Sequence, residues 1–415
     1  MSVKNKDRNM KRIQLCNKRG FSLVELLVVM AMFVIIIAVT GETFSRIMSQ
    51  SSLQSKLAVS NIEGIVSLEM MRKDLGSAGF GIPWAFDAPI TYKEVKPGDA
   101  DSRETIAAAY NATPGTENQT LVPLAVSGGN NVLLGDATKL IEGSDYLVIR
   151  STSIGASSAA QRWSFMNYTG MSKPATLTPQ SWTQDNLTSS DWVVVVKVGL
   201  TSSFSKELVT NSTNSGAFTT QYTAANLNYY APDQSKVTNY IYGVSSTEEP
   251  RMPFNRADYY VRIPADTDGN RLPQRCAPNT GILYKALVKH SNGTVSGNSE
   301  FPLLDCVADM QVVYILDSSS NGQTTETDSL AGLSAKEIRD QLKSIQVYIL
   351  SHEGGKDSFY TYPKEKIAVG PSADGVNTGA GRSFDLKETI KTGWERYRWK
   401  VYRFSVNPAN LASTL

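Results

Sequence analysis

KRGFSLVELLVVMAMFVIIIAVTGE occupies residues 18–42. Within it, residues 21–41 are 21 positions carrying one charge, Glu25. At about 1.5 Å per helical residue the run extends about 31 Å, close to the hydrocarbon thickness of a bilayer. The stretch therefore predicts a membrane-spanning helix. Two of its features need a reason: the carboxylate near the helix start, and Lys18, Arg19 and Gly20 directly before it.

Outward from this stretch, the first 20 residues hold seven cations (Lys4, Lys6, Arg8, Lys11, Arg12, Lys18, Arg19) and one anion, Asp7. The whole chain has 41 basic and 39 acidic residues, and the part after residue 20 has 34 and 38, a net of −4. The slight basic excess thus belongs to the leader, and the body gives no reason to expect nucleic acid as a partner. The cations predict a cytoplasmic leader, with the body from Glu42 onward across the membrane. An ordinary signal peptide is the first rival. Its apolar run is about 7–15 residues and ends in a small-residue cleavage site. Here the run is longer and continues into a second pattern. Ala58, Ile62, Ile65, Leu68, Met71 and Leu75 recur at steps of 3 and 4, a helical stripe expected to pack on the body. No proline interrupts residues 21–75, so one continuous helix about 80 Å long is expected.

Arg19-Gly20-Phe21-Ser22-Leu23-Val24-Glu25 with the apolar run behind it resembles the type IV prepilin motif. The resemblance implies that a prepilin peptidase cuts between Gly20 and Phe21, that Phe21 becomes the N-methylated first residue, and that Glu25 serves assembly from the fifth mature position. It also implies an α+β, type IV pilin-like fold: a long N-terminal helix, membrane-spanning in its first half, packed on an antiparallel β-rich head. Residues 68–81, LEMMRKDLGSAGFG, are similar to the end of the first helix of PilW-type minor pilins, and 301–316, 344–352 and 396–406 resemble the later strands of that family. On this reading residues 1–20 are a leader, 21–41 a membrane and filament-core segment, 42–80 the amphipathic half of the helix, and 81–415 the head, with a polar insertion around 85–300.

Short runs rich in β-branched and aromatic residues recur at 146–150, 192–198, 259–263, 282–288, 311–316 and 345–350, the pattern of an antiparallel sheet. Near the C-terminus Tyr397, Trp399 and Val401 alternate with cations. The apolar phase then moves to Tyr402, Phe404 and Val406, which predicts a β-bulge near Val401. Ser334 and Glu337 have capping-box spacing before Ile338 and Leu342 and predict a short helix feeding the strand at Ile345. Residues 201–240 contain 20 Ser, Thr, Asn or Gln in 40 positions and read as surface loop and weak strand.

Chemistry-bearing patterns are few. Cys16 lies in the leader; Cys276 and Cys306 read as a disulfide in a body that leaves the cytoplasm, two buried free thiols being the alternative. His290 and His352 have no metal-ligand spacing and read as surface or loop residues. Residues 76–81, GSAGFG, follow a helix instead of opening one, which suits a helix stop and not a phosphate loop. Asp266-Thr267-Asp268-Gly269-Asn270 lacks a glutamate at the twelfth loop position and reads as a turn, not a calcium loop.

No catalytic triad, metal set or cofactor motif emerges, so no enzyme and no cofactor are expected. The implied partners are major and minor pilins, the prepilin peptidase, the inner-membrane assembly platform and, before assembly, the membrane itself. The implied location is the inner membrane with the head in the periplasm, then the pilus. Two alternatives stand beside a minor pilin: a type II secretion pseudopilin of the J type, and a tip adhesin whose head, through residues 85–300, binds a carbohydrate or surface.

Overall fold

The structure is a computed structural model that describes residues 22–99, 102–133, 140–168, 179–182, 185–200, 204–211, 216–234, 237–264, 271–371 and 380–411. The leader, Gly20, Phe21 and the turn at 266–270 lie outside the described residues. The chain forms two compact units that divide after Ser55.

Helix α1 runs Leu23–Gly76, 54 residues. In the first unit its described side chains are exposed on every side, from Leu23 through Phe44. Leu23–Ser52 is long and apolar enough to cross a membrane. A helix apolar all round satisfies its surface in lipid or among other helices. The hydroxyls of Thr40 and Thr43 donate to the carbonyls of Ile36 (2.6 Å) and Val39 (2.8 Å). Both threonine hydroxyl donors on the apolar surface are thereby satisfied within the helix.

In the second unit the strands, in chain order, are β1 (Ala85–Phe86), β2 (Tyr92–Lys93), β3 (Asn118–Gln119), β4 (Val126–Gly129), β5 (Tyr146–Ser151) and β6 (Trp163–Asn167). Then come β7 (Trp192–Leu200), β8 (Phe204–Leu208), β9 (Thr220–Gln221), β10 (Val237–Ser245), β11 (Asn255–Arg262) and β12 (Gly281–Leu287). The last six are β13 (Glu300–Leu316), β14 (Thr325–Thr327), β15 (Leu342–Glu353), β16 (Lys366–Val369), β17 (Arg382–Asp385) and β18 (Arg398–Val406). Short helices are α2 (Arg103–Ala108), α3 (Ala224–Leu227), α4 (Ala335–Gln341) and α5 (Leu386–Thr389). An eight-stranded antiparallel sheet has the order β18-β15-β13-β12-β11-β5-β4, with β14 beside β13. A six-stranded sheet has the order β1-β8-β7-β10-β6, with β9 beside β7. An apolar helix segment plus a β-rich head is an α+β, pilin-like layout.

The eight-stranded sheet is buried on both faces, which is why β5 and β11 are buried at every position. One face packs Leu147, Ile149, Tyr259, Val312, Val347 and Phe404 against Met71 and Leu75 of α1. The opposite face packs Val148, Tyr260 and Tyr284 with Val194 and Val196 of the six-stranded sheet. Helix α1 stops where glycine permits a reversal: Gly79 has φ +80° and Gly81 φ +70°. A Cβ on Gly81 would lie 2.4 Å from Thr152 Oγ1.

Four expectations change. The helix stripe is rotated: Gly64, Ser67, Met71, Asp74 and Leu75 are buried, whereas Ala58, Ile62 and Ile65 are exposed. The backbone approaches the sheet so closely at Gly64 that a Cβ there would lie 3.1 Å from Tyr402 Oη, so small residues, not the bulkiest, mark this face. The expected bulge near Val401 is absent, since β15 and β18 pair in one unbroken register from Ile345↔Val406 to Glu353↔Arg398. The apolar phase shifts because opposite faces of β18 are covered at its two ends. Trp399 joins a cluster with Ile367 and Phe384, and Tyr402, Phe404 and Val406 join the α1 core.

The third change concerns residues 201–240, which supply β8, β9, α3 and the start of β10. Buried and intermediate positions alternate where β10 opens, and the polar Asn239 is itself buried there. The fourth concerns the histidines. His352 is a buried strand residue, 1% exposed, whereas His290 is, as expected, a loop residue, half-buried. The Ser334–Glu337 capping box does start α4, which leads directly into β15.

Candidate functional site

The first turn of α1 carries the residues most closely tied to the opening stretch. Ser22 Oγ accepts from the Glu25 backbone N–H at 3.1 Å, and the Glu25 carboxylate accepts from the Ser22 backbone N–H at 3.3 Å. This reciprocal pair is a capping box, which satisfies two donors that a helix start otherwise leaves bare. It also holds a negative charge against the positive end of the helix dipole. The Ser-x-x-Glu spacing was visible in the sequence; reading the segment for membrane insertion alone passes over it. Gly20 and Phe21, at the expected cleavage position, are outside the described residues.

At its other end the helix is fixed to the head by polar contacts as well as by packing. The Asp74 carboxylate accepts from Tyr259 Oη at 2.6 Å and pairs with Lys285 Nζ at 2.5 Å. Ser67 Oγ donates to the carbonyl of Leu303. The Arg72 guanidinium lies 5.5 Å from the Phe404 ring centre. Tyr259 and Lys285 stand on neighbouring strands of the eight-stranded sheet, directly opposite each other. The end of the helix that belongs to the second unit is therefore held in rotation and in height on the sheet.

Cys276 and Cys306 form a disulfide with Cα atoms 4.8 Å apart. His352 lies against it: Nε2 accepts from the Ala277 N–H at 2.8 Å, and the ring packs 4.6 Å from Tyr397 and 5.2 Å from Trp399. Burial, with the Arg275 charge, lowers the imidazole pKa to about 3. The two sulfurs and a ring nitrogen of His352 lie within 4.8 Å of one another. Bonded to each other, the sulfurs offer no thiolate to a metal.

A second polar cluster, unforeseen from sequence, lies in the core. Glu94 is fully buried and accepts from Arg150 Nε (3.0 Å) and Nη2 (2.8 Å), from Arg256 Nη1 (2.9 Å) and from the Ala112 N–H (3.1 Å). Arg256 also forms a two-pronged pair with Asp258 at 2.7 and 2.9 Å, and Asp258 accepts from Tyr146 Oη at 2.7 Å. Burial alone would raise the Glu94 pKa, but the two guanidinium groups outweigh it and hold the carboxyl below its ordinary value. Two cations and two carboxylates balance, and the cluster ties the 94–112 segment to β5 and β11. It is closed to solvent and has the character of a structural clamp.

No curated protein and no solved structure matches the chain. Residues 15–41 match the family model described as Prokaryotic N-terminal methylation motif, so the chain carries a type IV prepilin-like leader at the head of its apolar helix.

Proposed function

We propose that the protein is a minor type IV pilin of the PilW kind. It is a structural subunit, not an enzyme. A prepilin peptidase cuts it between Gly20 and Phe21 and the new terminus is methylated. The chain waits in the inner membrane with its head in the periplasm. It then enters a pilus beside other major and minor pilins, at the assembly platform, where it helps start assembly. The observation that carries this reading is the matched leader at residues 15–41 joined to a helix that is apolar on all sides and begins on the Ser22–Glu25 cap. A J-type pseudopilin of type II secretion shares that leader and helix.

Two measurements test the proposal. Intact mass of protein from cells with the peptidase should give a chain starting at Phe21 with an added methyl group. Gly20→Glu, which places a bulky charge where the peptidase needs a small residue, should give the uncut chain. An uncut wild-type chain would refute the processing step. Mass spectrometry of sheared, purified pili should find the protein at low stoichiometry, whereas its presence only in secretion pseudopili would move it to the alternative.

A further inference from the structure

The sheet pairing of β6 and β10 builds a surface that neither the prepilin leader nor the helix accounts for. Phe165 stands opposite Tyr240, Trp163 opposite Tyr242 and Asn167 opposite Thr238. The two-residue period of a strand puts all six side chains on one face. The same row continues on β7 as Val194 and Val196, opposite Tyr242 and Tyr240, and there the face is buried in the core between the two sheets. Toward β6 the cover ends. Phe165, Tyr240 and Tyr242 are half-buried, and Trp163 is 36% exposed.

Two further rings extend the row. Trp182 packs 4.9 Å from Trp163, held by its Nε1–H donating to the Trp163 carbonyl at 2.7 Å. Phe80 sets its edge on Tyr242 at 5.2 Å. Between these ends the rings follow one another at about 6 Å: Phe165–Tyr240 at 6.2 Å and Tyr240–Tyr242 at 6.3 Å, the latter nearly parallel.

Beside this row, between Phe80 and Trp163, lies an open groove of about 390 Å³. Among the described residues, Ser77, Ser153, Gln161 and Asn410 line it, each already with one side-chain hydrogen bond to a neighbouring group, and the ionisable lining residue is the exposed Lys73. Six rings that run from the core to a half-exposed sheet edge, beside a polar groove, offer a candidate binding surface. The surroundings identify the occupant. Flat rings, hydroxyls and amides together match a pyranose, whose ring face offers C–H groups to an aromatic face while its rim offers hydroxyls to amides. The row ends in the polar Asn167·Thr238 pair, and the groove beside it is polar. The single cation complements a carboxylate.

We propose that the β6/β10 face binds an acidic polysaccharide. Its pyranose rings stack along Trp163, Phe165 and Tyr240, and a uronate carboxylate is held by Lys73 in the groove. The lining residues all lie in the unit that follows Ser55, so an uncut chain is expected to bind equally well. Failure of processing and failure of binding are therefore separate results.

The test uses the full-length protein in a detergent without a sugar headgroup. Tryptophan fluorescence and calorimetry are read during titration with a galacturonate hexamer and, separately, a β-1,4-glucose hexamer. Saturable binding that favours the galacturonate hexamer is expected, with tryptophan emission altered. Trp163→Ala should weaken it by about tenfold or more, and Lys73→Ala should abolish the preference over the glucose hexamer. Gln161→Ala, at an exposed position, removes one exposed hydrogen bond to the Ser153 carbonyl, leaves the core packing intact and should weaken binding. It covers the case in which the tryptophan variant misfolds, as judged by near-ultraviolet circular dichroism. Absence of saturable binding, or binding that neither Trp163→Ala nor Gln161→Ala changes, would overturn the proposal. Equal binding of both hexamers would overturn its acidic part. Loss of a co-purifying pilin on Trp163→Ala, with no sugar binding, would reassign the face to a protein contact.

Discussion

Glu94→Gln is the sharpest perturbation of the head. The wild-type carboxylate is fully buried and sits between two buried guanidinium groups, Arg150 and Arg256, with Asp258 as the other anion. The amide is nearly the same size, so no cavity forms. It removes one negative charge, leaves a net positive charge in the core, and turns an NH₂ toward cationic donors. Removing one partner of a buried ion pair costs about 3–5 kcal/mol, because the other partner stays desolvated. Domain stability is typically about 5–15 kcal/mol, so the variant should lose a large share of it. In urea the loss should move the unfolding midpoint down by about 1–3 M, followed by near-ultraviolet circular dichroism on full-length protein in detergent. Glu94→Gln with Arg150→Met restores the charge balance and should cost less than the two single changes together, with a coupling of about 1 kcal/mol or more.

The same cluster sets a pH dependence. The folded-state pKa of Glu94 is lowered. Its contribution is therefore fully present above the ordinary glutamate value and is lost as pH falls through the lowered one. The variant should lack that part of the acid limb. An unchanged midpoint with an unchanged slope, together with strict additivity in the double variant, would refute the charge argument.

Three further outcomes are expected. Mature protein, titrated with a thiol reagent under denaturing, non-reducing conditions, should show no free thiol, and replacing Cys276 and Cys306 by serine should cost roughly 3–4 kcal/mol in an unfolding titration. Burial holds His352 neutral with its pKa near 3, against about 6.5 in an unfolded chain. Stability should accordingly fall as pH drops from about 6.5 toward 3, and His352→Gln, which keeps an acceptor for the Ala277 N–H, should flatten that slope in melting curves. Glu25→Ala should leave membrane insertion and head folding intact and lower recovery of the protein in sheared pili, whereas recovery at the wild-type level with normal pilus number would exclude an assembly role for this carboxylate.

The parts of the fold legible in the sequence are those where a local pattern decides the structure. The apolar stretch, the strand runs at 146–150 and 345–350 and the Ser334–Glu337 cap each carry their signal within a few residues. The parts missed depend on what lies across the sheet. Gly64 and Ser67 face β18 and β13 because close approach favours small residues, and no periodicity of bulky residues reveals that. The change of phase in β18 reads as a bulge until both faces of the strand are known to be covered. Glu94, Arg150, Arg256 and Asp258 look like ordinary surface charges, since Arg150, Arg256 and Asp258 lie 56 to 164 positions from Glu94, and only the pairing of β5 with β11 sets Arg150 opposite Arg256. For the same reason the aromatic row escapes notice. Trp163 and Phe165 are two positions apart in one strand, and Tyr240 and Tyr242 two apart in another. Nothing local joins them.

The carboxylate in the opening stretch has two physical reasons, and they make different demands on the side chain. As a helix cap, Glu25 needs only an acceptor that reaches the Ser22 N–H, which glutamine also supplies. Under the proposed processing it would also be an electrostatic partner for the amine that cleavage creates on Phe21; that role needs the charge, which is worth more in the low-dielectric core of a filament than at a membrane surface. Charge near the cytoplasmic end of a span costs less than the roughly 2.5–3.5 kcal/mol it costs at the centre, and the cap and the helix dipole offset part of that. The cap explains why a carboxylate is tolerated there; the proposed amine would explain why a neutral acceptor does not serve as well. Glu25→Gln separates the two. If it assembles as well as the wild type while Glu25→Ala does not, the cap is the working feature. If both fail alike, with helix content unchanged by circular dichroism, the charge is, and the pairing with the Phe21 amine stands.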